Sequence, residues 1–256
     1  MAGTSGRETR VVSETKPTAL VVSAHSADFV WRAGGAIALH AAKGYDVTIV
    51  CLSYGERGES AKLWKKEGCT LDHVKTERRK EAEAAANALG AADIQFFDIG
   101  DYPLGITEEA KFRLVDVMRK VQPKFILSHS LADPYNTDHP AATKMTIECR
   151  MIAQAWGHNP GEKILGAPQV YLFEPHQTEQ CGWKPDVLLD ITEVWDRKYA
   201  AIQCMQGQEH LWEYYTRVAK QRGVQAKRNT GGQAGGKNVE YGEGYQSIFP
   251  RMVSEL

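Results

Sequence analysis

Short apolar runs alternate with longer polar, helix-forming stretches from residue 18 to residue 191. The runs are continuous rather than alternating, which is typical of strands buried on both faces of a sheet. They therefore predict the strands of a mainly parallel sheet whose crossovers are helices. The six runs are Ala19–Ala24, Val47–Leu52, Ile94–Ile99, Phe125–Ser128, Val170–Phe173 and Val187–Ile191.

The stretches between these runs carry helix start and stop residues. Thr76–Leu89 is rich in Glu, Ala, Arg and Lys, and Gly90 is suited to end that helix. Thr107 and Asp138 are suited to cap two further helices, the second running to about Ala155. The predicted fold is α/β, with helices flanking a parallel sheet. Ligands of such sheets bind beyond the carboxyl ends of the strands.

The two ends of the chain follow a different pattern. Residues 1–16 are polar and patternless, and we expect a flexible tail before a single domain over 17–256. Residues 191–256 predict a helical extension, with helices over Thr192–Met205 and Glu209–Arg222. The glycine-rich segment 229–238 predicts a mobile loop rather than a phosphate-binding loop, because no strand precedes it and no Gly-Lys-Ser/Thr follows.

Composition excludes several classes of protein. Of the 256 residues, 31 are basic, 32 are acidic and 43% are apolar. This composition excludes collagen, coiled coil and wholesale disorder. The net charge of −1 gives no support for a nucleic-acid partner. The longest apolar stretch near the start is far too short to span a membrane, so we expect a cytoplasmic protein without a membrane partner. Five scattered cysteines without a CxxC pair argue against a disulfide scaffold or a zinc knuckle.

Metal-ligand residue types follow two of the predicted strands. His25 and Asp28 come directly after the first strand, and the segment after the fourth strand includes His129 and ends in Asp138 and His139. His25, Asp28 and His139 form the ligand set of a catalytic zinc site with an open position. Asp138 or His129 is then suited to orient a ligand. The alternative is structural: a buried histidine, and aspartates that only cap turns and helices.

These motifs resemble the PIG-L (LmbE-like) family of zinc-dependent N-deacetylases. The resemblance rests on His25-x-x-Asp28 followed by Gly34-Gly35, on Arg78-x-x-Glu81, and on the segment ending Asp138-His139, and it spans Thr18 to Asp190. It implies a Rossmann-like sheet. It also implies one Zn²⁺ per chain, held by His25, Asp28 and His139.

The chain departs from the deacetylase motif His-Pro-Asp-Asp at its two middle positions. Ser26 replaces the proline, and Ala27 replaces the aspartate that the resemblance assigns as general base. Because a general base contributes about 10²–10⁴-fold to the rate, this loss argues against ordinary deacetylation. Four segments resemble instead the family's hydratases, which implies addition of water to a C=C bond of a tricarboxylate in bacterial gallate and protocatechuate breakdown. These segments are 23–35, 55–60, 173–177 and 207–215.

Two alternatives stay open: an N-deacetylase of an amino sugar whose base has moved, for instance to Glu56, and a non-enzymatic protein that keeps the metal site for structure. For the hydratase, Glu56 and His176 are the expected proton-transfer residues, because each follows a strand end. We expect a small-molecule tricarboxylate as partner, and a homo-oligomer. Candidate substrate-binding residues are Arg32, Arg57, His129, Tyr135 and Asn136, with Glu59 and Lys62 as weaker candidates for the site.

Overall fold

The computed structural model describes residues 16–231, 233–234, 237–250 and 254. The strands are β1 (Thr18–Ser23), β2 (Asp46–Cys51), β3 (Asp93–Phe96), β4 (Phe125–Ser128), β5 (Gln169–Phe173), β6 (Val187–Asp190), β7 (Gln233–Ala234), β8 (Lys237–Asn238) and β9 (Gly242–Ser247). The helices are α1 (Asp28–Ala42), α2 (Ala61–Trp64), α3 (Leu71–Leu89), α4 (Glu108–Val121), α5 (Asp138–Gln154), α6 (Trp195–Cys204) and α7 (Trp212–Asn229).

Seven strands form one sheet in the order β3-β2-β1-β4-β5-β9-β6. The first five of these pair in parallel, and β9 is antiparallel to both β5 and β6. The predicted α/β fold with a mainly parallel sheet is therefore confirmed. The strand order reverses at β1, which lies between β2 and β4. The carboxyl ends of β1 and β4 consequently border the crevice where ligands of such sheets bind.

Alternate residues of β1 face the two helical layers. Ala19 and Val21 pack in a core with residues of α1, α3, α6 and α7. Leu20 and Val22 pack on the other side, with residues of α4 and α5. Both faces of the sheet are therefore buried, which explains why its strands read as continuous apolar runs.

The helix starts differ in part from those expected. α3 begins at Leu71, earlier than Thr76, because the Thr70 side chain accepts a hydrogen bond from the His73 N–H. The predicted Thr107 cap of α4 is confirmed. Asp138 is not a cap: it is the first residue of α5, after Thr137, and its carboxylate accepts the N–H groups of a loop that follows β3.

The C-terminal region is helical over α6 and α7, as expected, but it also returns to the sheet as β9, which the apolar pattern does not predict. Glu243 of β9 is buried, and its carboxylate accepts the backbone N–H groups of Gly35 and Ala36 in α1. It also pairs with Lys198 at 2.7 Å and accepts the Tyr245 hydroxyl. This network ties the last strand of the sheet to the helix that follows the first.

Two expected segments lie partly or wholly outside the described residues. Of the predicted tail, residues 1–15 are not described. Within 229–238, the described backbone forms the antiparallel pair β7 and β8 rather than only a loop. Among the described helices, none is long and apolar enough to cross a membrane.

Candidate metal centre and active site

Four buried or half-buried side chains converge at the carboxyl edge of the sheet. His25 follows β1, Asp28 opens α1, His139 is the second residue of α5, and Glu59 lies in the loop after β2. One potential ligand atom from each lies within 4.8 Å of the others. The three ligands expected from the sequence are therefore together, and Glu59 joins them. These four residues are called the metal cluster below.

The cluster has the donor atoms of a zinc site. His25 Nδ1 lies 3.0 Å from Asp28 Oδ2 and 3.1 Å from Glu59 Oε1, and His139 Nε2 lies 3.3 Å from Asp28 Oδ1. His139 Nε2 and Glu59 Oε2 are buried without a hydrogen-bond partner in the described part of the chain. Burial alone would raise the pKa of Asp28, but the histidines His139 and His25 hold it well below its usual range. Buried, unpartnered imidazole and carboxylate atoms beside an ionised aspartate fit a divalent cation.

Two further aspartates hold the histidines from behind. Asp138 Oδ2 lies 3.2 Å from His25 Nε2, and Asp133 Oδ2 lies 2.8 Å from His139 Nδ1. Such carboxylate contacts set the tautomer and the orientation of a metal-binding imidazole. Each histidine consequently directs its other nitrogen into the cluster. Asp138 is thus in contact with a candidate ligand, as the orienting role considered for it from the sequence requires.

His129 packs beside the cluster rather than joining it. Its Nε2 accepts the Ala24 N–H at 2.9 Å, and its ring stacks on that of His139 with 4.2 Å between the centroids. Burial and the neighbouring His139 hold the pKa of His129 well below its usual value. The side chain is therefore neutral, and the nitrogen nearest Asp28 is already occupied.

The contacts of Glu56 and Arg57 are with groups outside the cluster. The Glu56 carboxylate accepts the Tyr54 N–H at 3.1 Å, and burial raises its pKa. Arg57 is exposed, and both its backbone and its guanidinium donate to Asp101. The loop turns at Gly55, where φ is 67°, and it returns at Glu59. The structure thus does not place Glu56 with the ligand candidates. Glu59 lies beside them instead.

His176 follows β5 and lies over the cluster. Its backbone N–H donates to Asp133, and its ring lies 6.4 Å from that of His139. Burial, with a contribution from the Arg32 cation, lowers the pKa of His176 to about 4. His176 and Glu59 line one cavity of about 380 Å³, the cavity at the site mouth. The other residues lining this mouth cavity are Tyr102, Tyr135, Asn136, Gln177, Leu211 and Tyr214.

The remaining predicted substrate contacts lie around this cavity. Asn136 is buried and its amide donates to the Tyr102 hydroxyl at 3.0 Å, with Glu59 Oε1 at 3.5 Å. Tyr135 is half exposed at the rim, and its hydroxyl donates to Gln177. Arg32 is buried in α1 with its Nε 3.7 Å from Asp28 Oδ1. These three residues therefore adjoin the cluster or its mouth.

Tyr102 is a site residue that the sequence reasoning missed. Its ring lies 5.9 Å from that of His25, and burial together with the Glu59 charge raises its pKa to about 12. The phenol therefore keeps its proton near neutral pH. Tyr102 follows β3, so the rule that polar residues after a strand end belong to the site applies to it as it does to His25.

Comparisons with known proteins agree with this geometry. Residues 20–150 match the family model PIG-L, described as GlcNAc-PI de-N-acetylase. The chain is 65% identical over 250 residues to the 4-oxalmesaconate hydratase of Pseudomonas putida, covering 98% of this chain and 96% of the relative. The crystal structure of GalB, the 4-carboxy-2-hydroxymuconate hydratase of Pseudomonas putida, superposes with a TM-score of 0.91 at 67% identity, covering 94% and 99%. Diacetylchitobiose deacetylase of Thermococcus kodakarensis is 29% identical over 205 residues, covering 77% and 72%.

Proposed function

The chain belongs to the PIG-L family, and it is similar over nearly its whole length to a hydratase of that family. We therefore propose that it adds water to 4-oxalomesaconate. The product is 4-carboxy-4-hydroxy-2-oxoadipate, which makes the protein a hydro-lyase. The substrate is the small tricarboxylate expected from the sequence. We place the reaction in bacterial breakdown of gallate and protocatechuate.

One observation carries the choice of hydration over deacetylation. Ala27 is buried directly beside the metal cluster, where the deacetylase motif has its general base, while His25, Asp28 and His139 stay together. An alanine cannot transfer a proton. The metal-binding geometry is therefore retained without the carboxylate that deacetylation uses at this position.

We propose one Zn²⁺ per chain, held by His25, Asp28 and His139, with Glu59 beside it. The support is the set of buried donors and the two aspartates that orient the histidines. When bound, zinc acts as a Lewis acid toward the keto oxygen of the substrate or toward water.

Glu59 and His176 are the proposed proton-transfer residues, so Glu59 replaces Glu56 in this role. His25 helps to hold the pKa of Glu59 below its usual value, although burial alone would raise it, so this carboxylate is ionised and can accept a proton. His176 is neutral in the free protein near pH 7. When the substrate binds in the mouth cavity, its three carboxylates favour the protonated form of His176.

The addition then balances as follows. Glu59 takes a proton from water, and the water oxygen bonds to C4 of the substrate. The electron pair of the C=C bond moves to the other alkene carbon, C5 in the numbering of the product, where the carboxylate attached to C5 stabilises it. Protonated His176 delivers its proton to C5; Glu59 later returns the proton it took to solvent, and His176 takes up a new one. Asn136 and Tyr102 lie within hydrogen-bond reach of each other beside Glu59 and so help to hold that base in place.

A pair of assays tests the proposed function. With zinc-loaded protein, we expect loss of oxalomesaconate absorbance and very little acetate release from an N-acetylglucosaminide. Ala27→Asp should impair hydration, since it adds a negative charge beside the cluster in a site for a trianion. Rapid acetate release without hydration of the tricarboxylate would establish the deacetylase instead.

A further inference from the structure

Arg32 presents an unused edge of its guanidinium group. The side chain is only 2% exposed, and its Nη1 donates to the Glu174 carbonyl oxygen. Its Nε and Nη2 are buried without a hydrogen-bond partner in the described residues. These two atoms lie along one edge of the planar group, and such an edge matches the two oxygens of a carboxylate.

The carboxylates near this edge are committed elsewhere. Asp28 Oδ1 is 3.7 Å from Arg32 Nε but 3.3 Å from His139 Nε2, in the metal cluster. The Glu174 carboxylate is bonded to two nitrogens of Arg222. A buried cation whose donors lack acceptors is unfavourable until an anion arrives. Among the described residues, the two donors on this edge of Arg32 therefore lack an acceptor that a carboxylate from outside the chain can supply.

A second unpartnered group lies beside the first. The Tyr215 hydroxyl, from α7, is buried without a hydrogen-bond partner in the described part of the chain. Its ring stacks on Trp31 at 5.1 Å, which fixes its position, and it lines a small cavity together with Arg32. The Tyr215 ring is also 6.1 Å from that of His176, which lines the mouth cavity.

We infer that the Arg32 edge and the Tyr215 hydroxyl form a subsite for one carboxylate of the substrate, next to the metal cluster. The identity of the ligand rests on the proposed function. The subsite supplies specificity: it favours a polycarboxylate over a neutral sugar, which would leave the buried guanidinium unpaired. Tyr215 acts from the C-terminal helix, so that helix contributes to substrate choice as well as to the fold.

Binding of the unreactive propane-1,2,3-tricarboxylate, measured by calorimetry on metal-free and zinc-loaded protein, tests this subsite. Arg32→Met should weaken the affinity about 10–100-fold, and Tyr215→Phe about 2–10-fold, as expected for charged and neutral hydrogen bonds. Arg32→Lys should fall between wild type and Arg32→Met, because it keeps the charge but loses the paired donors. The weakening should appear in both metal states.

Matched controls separate recognition from structure. Arg217→Met and Tyr199→Phe change the same residue types at more exposed positions and should leave the affinity unchanged. Zinc content of the Arg32 and Tyr215 variants should equal that of wild type. Wild-type affinity in folded Arg32→Met would overturn the subsite. If Arg32→Met does not fold, wild-type affinity for the tricarboxylate in Tyr215→Phe would likewise overturn the subsite.

The outcome also distinguishes this inference from the proposed function. Hydration by wild type with unchanged KM and tricarboxylate affinity in both variants would refute the subsite and leave the hydratase intact. Tricarboxylate binding that depends on Arg32, in a protein that does not hydrate oxalomesaconate, would support the subsite and refute the substrate.

Discussion

At the scale of single residues, Asp133 and Asp138 determine how the cluster histidines are presented. Both carboxylates lie behind an imidazole, and each also accepts backbone N–H groups that hold it in place. The His–carboxylate pairs are pre-formed and buried. Metal affinity should therefore depend on residues that do not touch the metal.

Removing this support should weaken metal binding without abolishing it. We expect Asp133→Asn to reduce zinc affinity about 10–100-fold, because the amide no longer fixes the His139 tautomer. His139→Ala should lose zinc and activity altogether. Competition with a chelator measures both, and the exposed Asp116→Asn serves as control. Full zinc occupancy in His139→Ala would show that another residue is the third ligand. His129 is the nearest alternative, although its Nε2 already accepts the Ala24 N–H.

Glu59 and Glu56 offer a matched test of the proton-transfer proposal. Glu59→Gln should reduce kcat about 10²–10⁴-fold with zinc bound, as for the loss of a general base. Glu56→Gln retains an oxygen for the Tyr54 N–H and should reduce kcat much less. Steady-state kinetics with zinc analysis distinguishes them. A large loss of kcat confined to the Glu56 variant would return the role to Glu56.

His176 should make stability depend on pH. Its folded-state pKa of about 4 lies below the ordinary 6.5, so the unfolded chain binds the proton first as the pH falls. Metal-free protein should lose up to about 3 kcal/mol of stability between pH 6.5 and 4 through this group. Urea unfolding should show a smaller loss for His176→Gln over that window. Parallel losses in the two proteins would contradict the shifted pKa.

At the scale of elements, α1 is held by β9 as much as by its own sequence. Glu243 accepts two N–H groups from the middle of α1, and Lys198 and the Tyr245 hydroxyl approach the carbonyl oxygens of the preceding turn. A Cβ at Gly35 would lie 2.9 Å from the Glu243 carboxyl carbon. The absence of a side chain at Gly35 thus admits a carboxylate against the helix that carries Asp28.

This buried network should be costly to interrupt. Glu243→Leu leaves Lys198 without its carboxylate, and we expect a loss of about 3–5 kcal/mol of stability. Adding Lys198→Met should recover part of that loss, since it removes the unpaired charge. Lys80→Met, which breaks an exposed pair with Glu77, should cost less than about 1 kcal/mol. Equal effects of the buried and the exposed changes in urea unfolding would refute this account.

At the scale of the whole molecule, the sequence was sufficient for six of the seven strands of the main sheet and for bringing the candidate ligands to its edge. Continuous apolar runs marked five strands that pair in parallel, and parallel strands bring His25 and His139 to one edge although they are far apart in the chain. The position of Glu59 was not predictable in this way. It depends on the backbone turn at Gly55, which decides which of two nearby glutamates faces the cluster.

The strand β9 escaped prediction for a different reason. Residues 242–247 contain two glycines and a buried glutamate, so they show neither an apolar run nor a regular alternation. Their strand conformation comes from pairing on both sides, with β5 and β6. The same tertiary dependence applies to the Arg32–Tyr215 pair, since nothing local in the sequence relates α1 to α7.

The bond between Glu243 and α1 has a consequence for synthesis on the ribosome. The helix that carries Asp28 and Arg32 emerges early, whereas its anchor Glu243 lies 208 residues after Gly35 and emerges much later. A nascent or prematurely ended chain that stops before β9 leaves Lys198 and the middle of α1 without their carboxylate. A chain that has not yet added β9 should therefore present the candidate metal ligands poorly, so that the site forms only after β9 has been synthesised.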